Sequence, residues 1–251
     1  MGAPGLSIER CCEIIEREVA RMVVVTSGAD PATPVPTCGD WTIADLLVHA
    51  GEVYRWAGMI VAQASPVRIP RDELDFGEPD DPRDLPTWFG EAVGDVVATF
   101  RAADPDTPMW AWGWPKAGRF WPRRMVHELG VHRADAELAL GIDVAIEPDV
   151  AADGIDELLD NLPQASYFAP GVQELRGDGE VLAFRATDSG ASWRITLLPT
   201  GFQWERGDGP TDALVEAPAR DLLLGLYGRP ACLGITGDDD LFDRWSRNSA
   251  I

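Results

Sequence analysis

The chain has 251 residues, of which 45% are apolar, and 21 Lys+Arg stand against 42 Asp+Glu, a net charge of −21 at pH 7. Such an excess of negative charge repels phosphate backbones and anionic lipid headgroups, which sets nucleic acid and membrane surfaces aside as partners. No apolar run approaches the ~20 residues that cross a bilayer, and Met1-Gly2-Ala3-Pro4 lacks the basic and apolar regions of a signal peptide, so a cytoplasmic protein with reduced thiols is expected.

Ile8, Cys11, Cys12, Ile15, Val19, Met22 and Val23 recur at helical spacing over residues 5–27. After Pro31, Pro34 and Pro36, the pair Thr42 and Asp45 reads as a capping box that opens a second helix, running to about Ala64. Residues 65–86 carry Pro66, Pro70, Pro79, Pro82 and Pro86 among acids and read as an exposed connection. A third helix is expected from Thr87 through Phe100, and a fourth from Pro122 to a stop at Gly141. Four helices of similar length predict a bundle. Beyond Asp143 the pattern changes to a helix at 149–162 and strands at Val181–Thr187, Ser192–Leu198, Phe202–Glu205 and Ala213–Ala217, then helices at Ala219–Tyr227 and Asp240–Arg247. Short spacings and Gly/Asp turns favour an antiparallel sheet. The expected organisation is therefore an all-α domain over 1–145 and a smaller α+β domain over 146–251.

The three histidines, His49, His127 and His132, all lie in the helical half. His49 shares a stripe with Leu46, Val53, Trp56 and Ile60, and His132 shares one with Met125, Glu128 or Leu129, Ala136 and Ala139. Glu128 and His132 stand four apart on one face, where an uncompensated carboxylate would cost several kcal/mol. Two imidazoles and one carboxylate from two helices make a three-ligand set with an open coordination position, as in catalytic zinc sites. The alternative is a pair of hydrogen-bonded core histidines with Glu128 paired to Arg124. His127 is turned roughly 140° from His132 at ~100° per residue, and Val131 breaks the H-E-x-x-H pattern.

Asp45, four before His49, and Asp135, three after His132, could accept the second imidazole N–H, or could be caps and solvated charges. Trp110, Trp112 and Trp114 wall a pocket or fill core, and Cys38 is a nucleophile near a helix start or an inert thiol. Acidic runs at Asp72–Asp84 and Asp238–Asp240 read as solvated charge. No nucleotide-binding glycine loop and no G-x-S-x-G elbow is present.

The segment Pro36-Thr37-Cys38-Gly39-Asp40-Trp41-Thr42-Ile43-Ala44-Asp45-Leu46-Leu47-Val48-His49 resembles the opening of the metal-binding domain of mycothiol-dependent maleylpyruvate isomerases. The stretch Glu128-Leu129-Gly130-Val131-His132-Arg133-Ala134-Asp135-Ala136 is similar to that family's second metal motif, and 212–238 resembles its second domain. The resemblance implies a DinB-like four-helix bundle and a sterol-carrier-like domain, with His49, Glu128 and His132 as ligands of a divalent metal, Zn²⁺ first among them. It implies mycothiol as the thiol cosubstrate, with a metal-activated thiolate attacking an electrophilic substrate in an isomerase or S-transferase. A dianionic substrate such as maleylpyruvate would need local arginines, for which Arg55, Arg133 and Arg229 are the candidates. Two rival expectations are a binding protein with an apolar pocket in the C-terminal domain and a metal hydrolase that needs no thiol.

Overall fold

A computed structural model describes residues 5–249, which form two compact units, Leu6–Val144 and a second from Ala145 onward. The first is built from α1 (Ile8–Thr26), α2 (Ile43–Gln63), α3 (Leu85–Ala102) and α4 (Phe120–Ala139). Ser7 caps α1 by accepting the Arg10 amide, and Thr42 with Asp45 closes both halves of the expected capping box on α2. The helices form a ring in which α1 packs on α3 and α4, and α2 packs on the same two. Their apolar stripes meet in the middle: Ile14, Ile15 and Met22 from α1, Leu46 and Ile60 from α2, Phe89 and Phe100 from α3, Met125 and Leu129 from α4. At the α2–α3 contact the six-membered ring of Trp88 lies against Gly51, where a Cβ would sit 2.1 Å from it.

Helix α4 departs from simple amphipathicity because it also buries Arg124, Arg133, Asp135 and Glu137. Arg133 donates to Glu18 of α1 and to Glu137, and Arg21 of α1 donates to the other Glu137 oxygen, so an ion-pair chain joins α1 to α4. Such charges are tolerated in a core only when each has its partner. Trp110, Trp56 and Trp121 cluster with centroids 5.4–5.9 Å apart, which settles Trp110 as packing, whereas Trp114 is exposed.

In the second unit α5 (Pro148–Asn161) and α6 (Ala219–Leu226) pack together, and a five-stranded sheet runs in the order β3-β2-β1-β4-β5. The strands are β1 (Val181–Ala186), β2 (Ser192–Leu198), β3 (Gly201–Arg206), β4 (Ala213–Ala217) and β5 (Gly234–Gly237), and α7 (Asp239–Asn248) closes the described chain. The expected antiparallel pairing holds for β1–β2, β2–β3 and β4–β5, but β4 lies parallel to β1, with Leu182 opposite Ala213. The physical reason is the segment 207–212, which carries the chain from the end of β3 back past Arg194, whose guanidinium donates to the Pro210 carbonyl at 3.2 Å. Asp212 then fixes the register by accepting the Val181 amide at 2.8 Å. The sheet is thus mixed. Trp193, Phe184 and Trp245 fill its core, and Asp156 of α5 accepts from both Trp193 Nε1 and Arg206 at 2.7–2.8 Å.

Candidate metal centre

Helix α2 brings His49, and α4 brings Glu128 and His132, to one point in the first unit. The register between the two helices is held close by: Tyr54, fully buried, donates to the Met125 carbonyl at 2.6 Å. Burial pushes the Tyr54 phenol well above its ordinary pKa, with the Glu128 charge adding to the effect, so it acts as a fixed donor.

Oε1 of Glu128 lies 3.4 Å from His49 Nε2 and 3.4 Å from His132 Nε2. The two rings meet edge to face at 5.0 Å, and the Trp41 ring covers them at 4.8 Å from His49 and 6.2 Å from His132. All three ligand-type side chains keep some contact with water, at 24%, 23% and 13% exposure for His49, Glu128 and His132. The other Glu128 oxygen, Oε2, faces the buried Arg124 guanidinium at 3.4 Å. Behind His132, Nδ1 sits 3.1 Å from Oδ2 of the fully buried Asp135, which also accepts from Cys38 Sγ at 3.3 Å.

Electrostatics follow from these contacts. Burial raises the Glu128 carboxyl, but contacts from His132 and His49 and the Arg124 charge outweigh it and hold the pKa well below the usual range. For His132, burial favours the neutral ring, yet Asp135, Cys38 and Glu128 together push its pKa well above the ordinary imidazole value. The same contacts thus favour the charged carboxylate of Glu128 and a proton on the His132 ring.

Several candidate residues lie elsewhere. Asp45 spends its carboxylate on the α2 cap, where Oδ2 accepts from the Thr42 amide at 2.8 Å and its hydroxyl at 2.6 Å, and so does not orient His49. Arg55 stacks on Trp88 at 3.9 Å and donates to that residue's carbonyl, which makes it a brace between α2 and α3. Arg133 is wholly buried in the α1–α4 ion-pair network and is closed to substrate. Arg229 belongs to the second unit, where it donates to the Tyr227 carbonyl at 2.7 Å. His127 is buried on another side of α4. The second unit has a cleft of about 310 Å³ that Ser166, Gln173, Arg176 and Gln203 line beside Val172 and Phe202, a mixed polar and apolar lining. Sequence reasoning overlooked Trp41 as a cover and the joining of Cys38 to Asp135. The latter two lie 97 residues apart, and no motif spacing could report the pair.

Residues 12–137 match the family model described as the mycothiol maleylpyruvate isomerase N-terminal domain, and residues 149–244 match the C-terminal domain of the same family. A crystal structure of a mycothiol-dependent maleylpyruvate isomerase, a histidine-to-alanine variant, aligns with TM-score 0.62 at 15% identity over 92% of this chain and 93% of that one. The structure of the enzyme without that substitution aligns with TM-score 0.60 at 16% identity, over 92% of both chains. At such identities the likeness concerns the fold. No curated protein matches the chain in sequence. With the two models matched along one chain in their family order, this protein belongs to the mycothiol-dependent maleylpyruvate isomerase family.

Proposed function

We propose that this chain is a thiol-dependent enzyme of the maleylpyruvate isomerase type, in which His49, Glu128 and His132 hold a divalent cation, Zn²⁺ by preference, and mycothiol is the cosubstrate. The observation that carries the reading is the position of one Glu128 oxygen at 3.4 Å from two histidine nitrogens. Both separations exceed the usual N–H···O range of about 2.7–3.2 Å. A tetrahedral cation with bonds of about 2.0–2.2 Å spaces its ligand atoms about 3.3–3.6 Å apart, and three protein ligands leave a fourth position open.

The residues around the set fit that role. Asp135 accepts the Nδ1 proton of His132 and so presents Nε2 as the lone-pair donor, the arrangement that orients and strengthens metal-binding histidines. Arg124 occupies Oε2 of Glu128 and leaves Oε1 for the cation. Trp41 covers one side of both rings, limiting the directions from which water and thiol approach. When bound, the cation favours thiolate over thiol and so supplies a nucleophile at neutral pH. Added to an electrophilic carbon, such a thiolate would permit cis–trans isomerisation, by rotation of the adduct and expulsion of the same thiol, or S-transfer, if the adduct took up a proton and left as the conjugate. The family favours the former.

The test is metal analysis of tag-free protein alongside His132→Ala, followed by calorimetric titration with mycothiol. About one zinc per chain, lost in the variant, with thiol binding that depends on the metal, is the expected result. Well-folded wild type that takes up no zinc would return the three residues to the core and remove the reading.

A further inference from the structure

We propose that Cys38, Asp135 and the Nδ1 side of His132 form a second cation position, one that takes a thiophilic divalent ion such as Cd²⁺ or excess Zn²⁺. Its role as a regulator of the adjoining site rests on the ligand reading of His49, Glu128 and His132; its existence does not. Three ligand-type atoms converge there within 4.8 Å of one another, with Cys38 Sγ at 3.3 Å and His132 Nδ1 at 3.1 Å from the same Asp135 oxygen. The donor set is one sulfur, one nitrogen and one oxygen, and a thiolate among the ligands selects soft d¹⁰ ions over hard ones. Asp135 is fully buried, whereas Cys38, in the turn at Pro36–Cys38, is only half-buried.

The two positions meet at one imidazole. His132 turns Nε2 toward Glu128 and His49, and Nδ1 toward Asp135 and Cys38. Without a cation at the second position, Asp135 holds the S–H and N–H protons. When an ion enters, the thiol proton and the Nδ1 proton both pass to solvent. The hydrogen bond that orients His132 is then replaced by coordination, which weakens the first site's control of its ligand. An excess of thiophilic metal is therefore inhibitory through Cys38.

The test uses the full chain in a Cys232→Ser background, which removes the one exposed thiol; Cys11 and Cys12 are buried. Cd²⁺ is titrated while the thiolate-to-cadmium charge-transfer absorption is followed in the ultraviolet. The expected result is a saturable band that persists when His49→Ala is added and weakens at least about tenfold in Cd²⁺ affinity when Cys38→Ser is added. Cys38→Ala, with circular dichroism, controls for folding. Absence of the band, or a band unchanged by either Cys38 variant, overturns the proposal. So does loss of the band in the His49→Ala variant, since Cys38 would then belong to a single shared site. Failure of the zinc reading leaves this result untouched, because the cadmium band depends on neither His49 nor Glu128.

Discussion

The Asp135 carboxylate, wholly buried, lies 3.1 Å from Nδ1 of His132, one helical turn back along α4. That contact decides which imidazole nitrogen faces Glu128. It also explains why a charged residue survives at 0% exposure in the bundle, since two donors satisfy the carboxylate.

Asp135→Asn keeps the shape of the side chain and removes its charge. Loss of a carboxylate behind a ligating histidine typically weakens metal affinity about 10–100-fold. Competition against a chromophoric chelator should show such a loss of Zn²⁺ affinity with the helical circular dichroism intact. An unchanged affinity would mean that His132 is no ligand.

Binding should also be linked to protons. Asp135, Cys38 and Glu128, against the effect of burial, raise the His132 pKa well above the ordinary imidazole value, which favours a ring proton that an incoming cation must compete with. Metal entry expels that proton, and apparent affinity therefore rises with pH. Calorimetry in buffers of different ionisation enthalpy should report proton release on Zn²⁺ binding. The same groups shape metal-free stability. The raised His132 contributes fully below about pH 6.5 and loses its contribution as pH rises through the folded value; the depressed Glu128 contributes above about pH 4.3 and is lost as pH falls. Their joint contribution is greatest between those limits, and a thermal-melting series with His132→Gln should flatten there.

The bundle, its capping box and the metal-type trio were legible in the sequence because each is written in local period: apolar stripes at helical spacing, and Glu128 and His132 one turn apart. What escaped depends on contacts distant in sequence. The α1–α4 ion-pair network joins Arg133 to Glu18 across 115 residues, so Arg133, read from sequence as a substrate contact, proves to be a structural brace. In the sheet, parallel pairing of β4 with β1 arises from the path of 207–212, which strand periodicity does not record. Asp45 belonged to two local patterns at once, and the cap won because Thr42 lies within hydrogen-bond reach.

Arg133 gives a prediction that separates stability from catalysis. Its removal leaves Glu137 buried with Arg21 alone and leaves Glu18 with one partner fewer. Breaking a buried pair by deleting one partner costs about 3–5 kcal/mol. Arg133→Met should therefore lower the free energy of unfolding by that order, read as an earlier denaturation midpoint, while folded protein retains zinc stoichiometry. A variant with unchanged stability and a raised substrate KM would restore the substrate-contact role.

Two glycines of the bundle should respond to alanine with opposite signs. Gly51 on α2 lies under Trp88, and an added methyl would meet the ring at 2.1 Å, inside any permissible contact. Either the indole leaves its rotamer or α2 moves from α3, at a cost of about 1–3 kcal/mol. Gly94, exposed within α3, has no atom within 4 Å of the same added methyl. There only helix propensity acts, and Gly94→Ala should stabilise by about 0.5–1 kcal/mol. Urea denaturation of the two variants measures both effects against wild type. Destabilisation by Gly51→Ala with stabilisation by Gly94→Ala would establish that close approach of α2 to α3, and not glycine flexibility, is what position 51 requires. Equal responses would show that Trp88 yields without cost, and the tight α2–α3 contact would lose its claim to set the bundle's geometry.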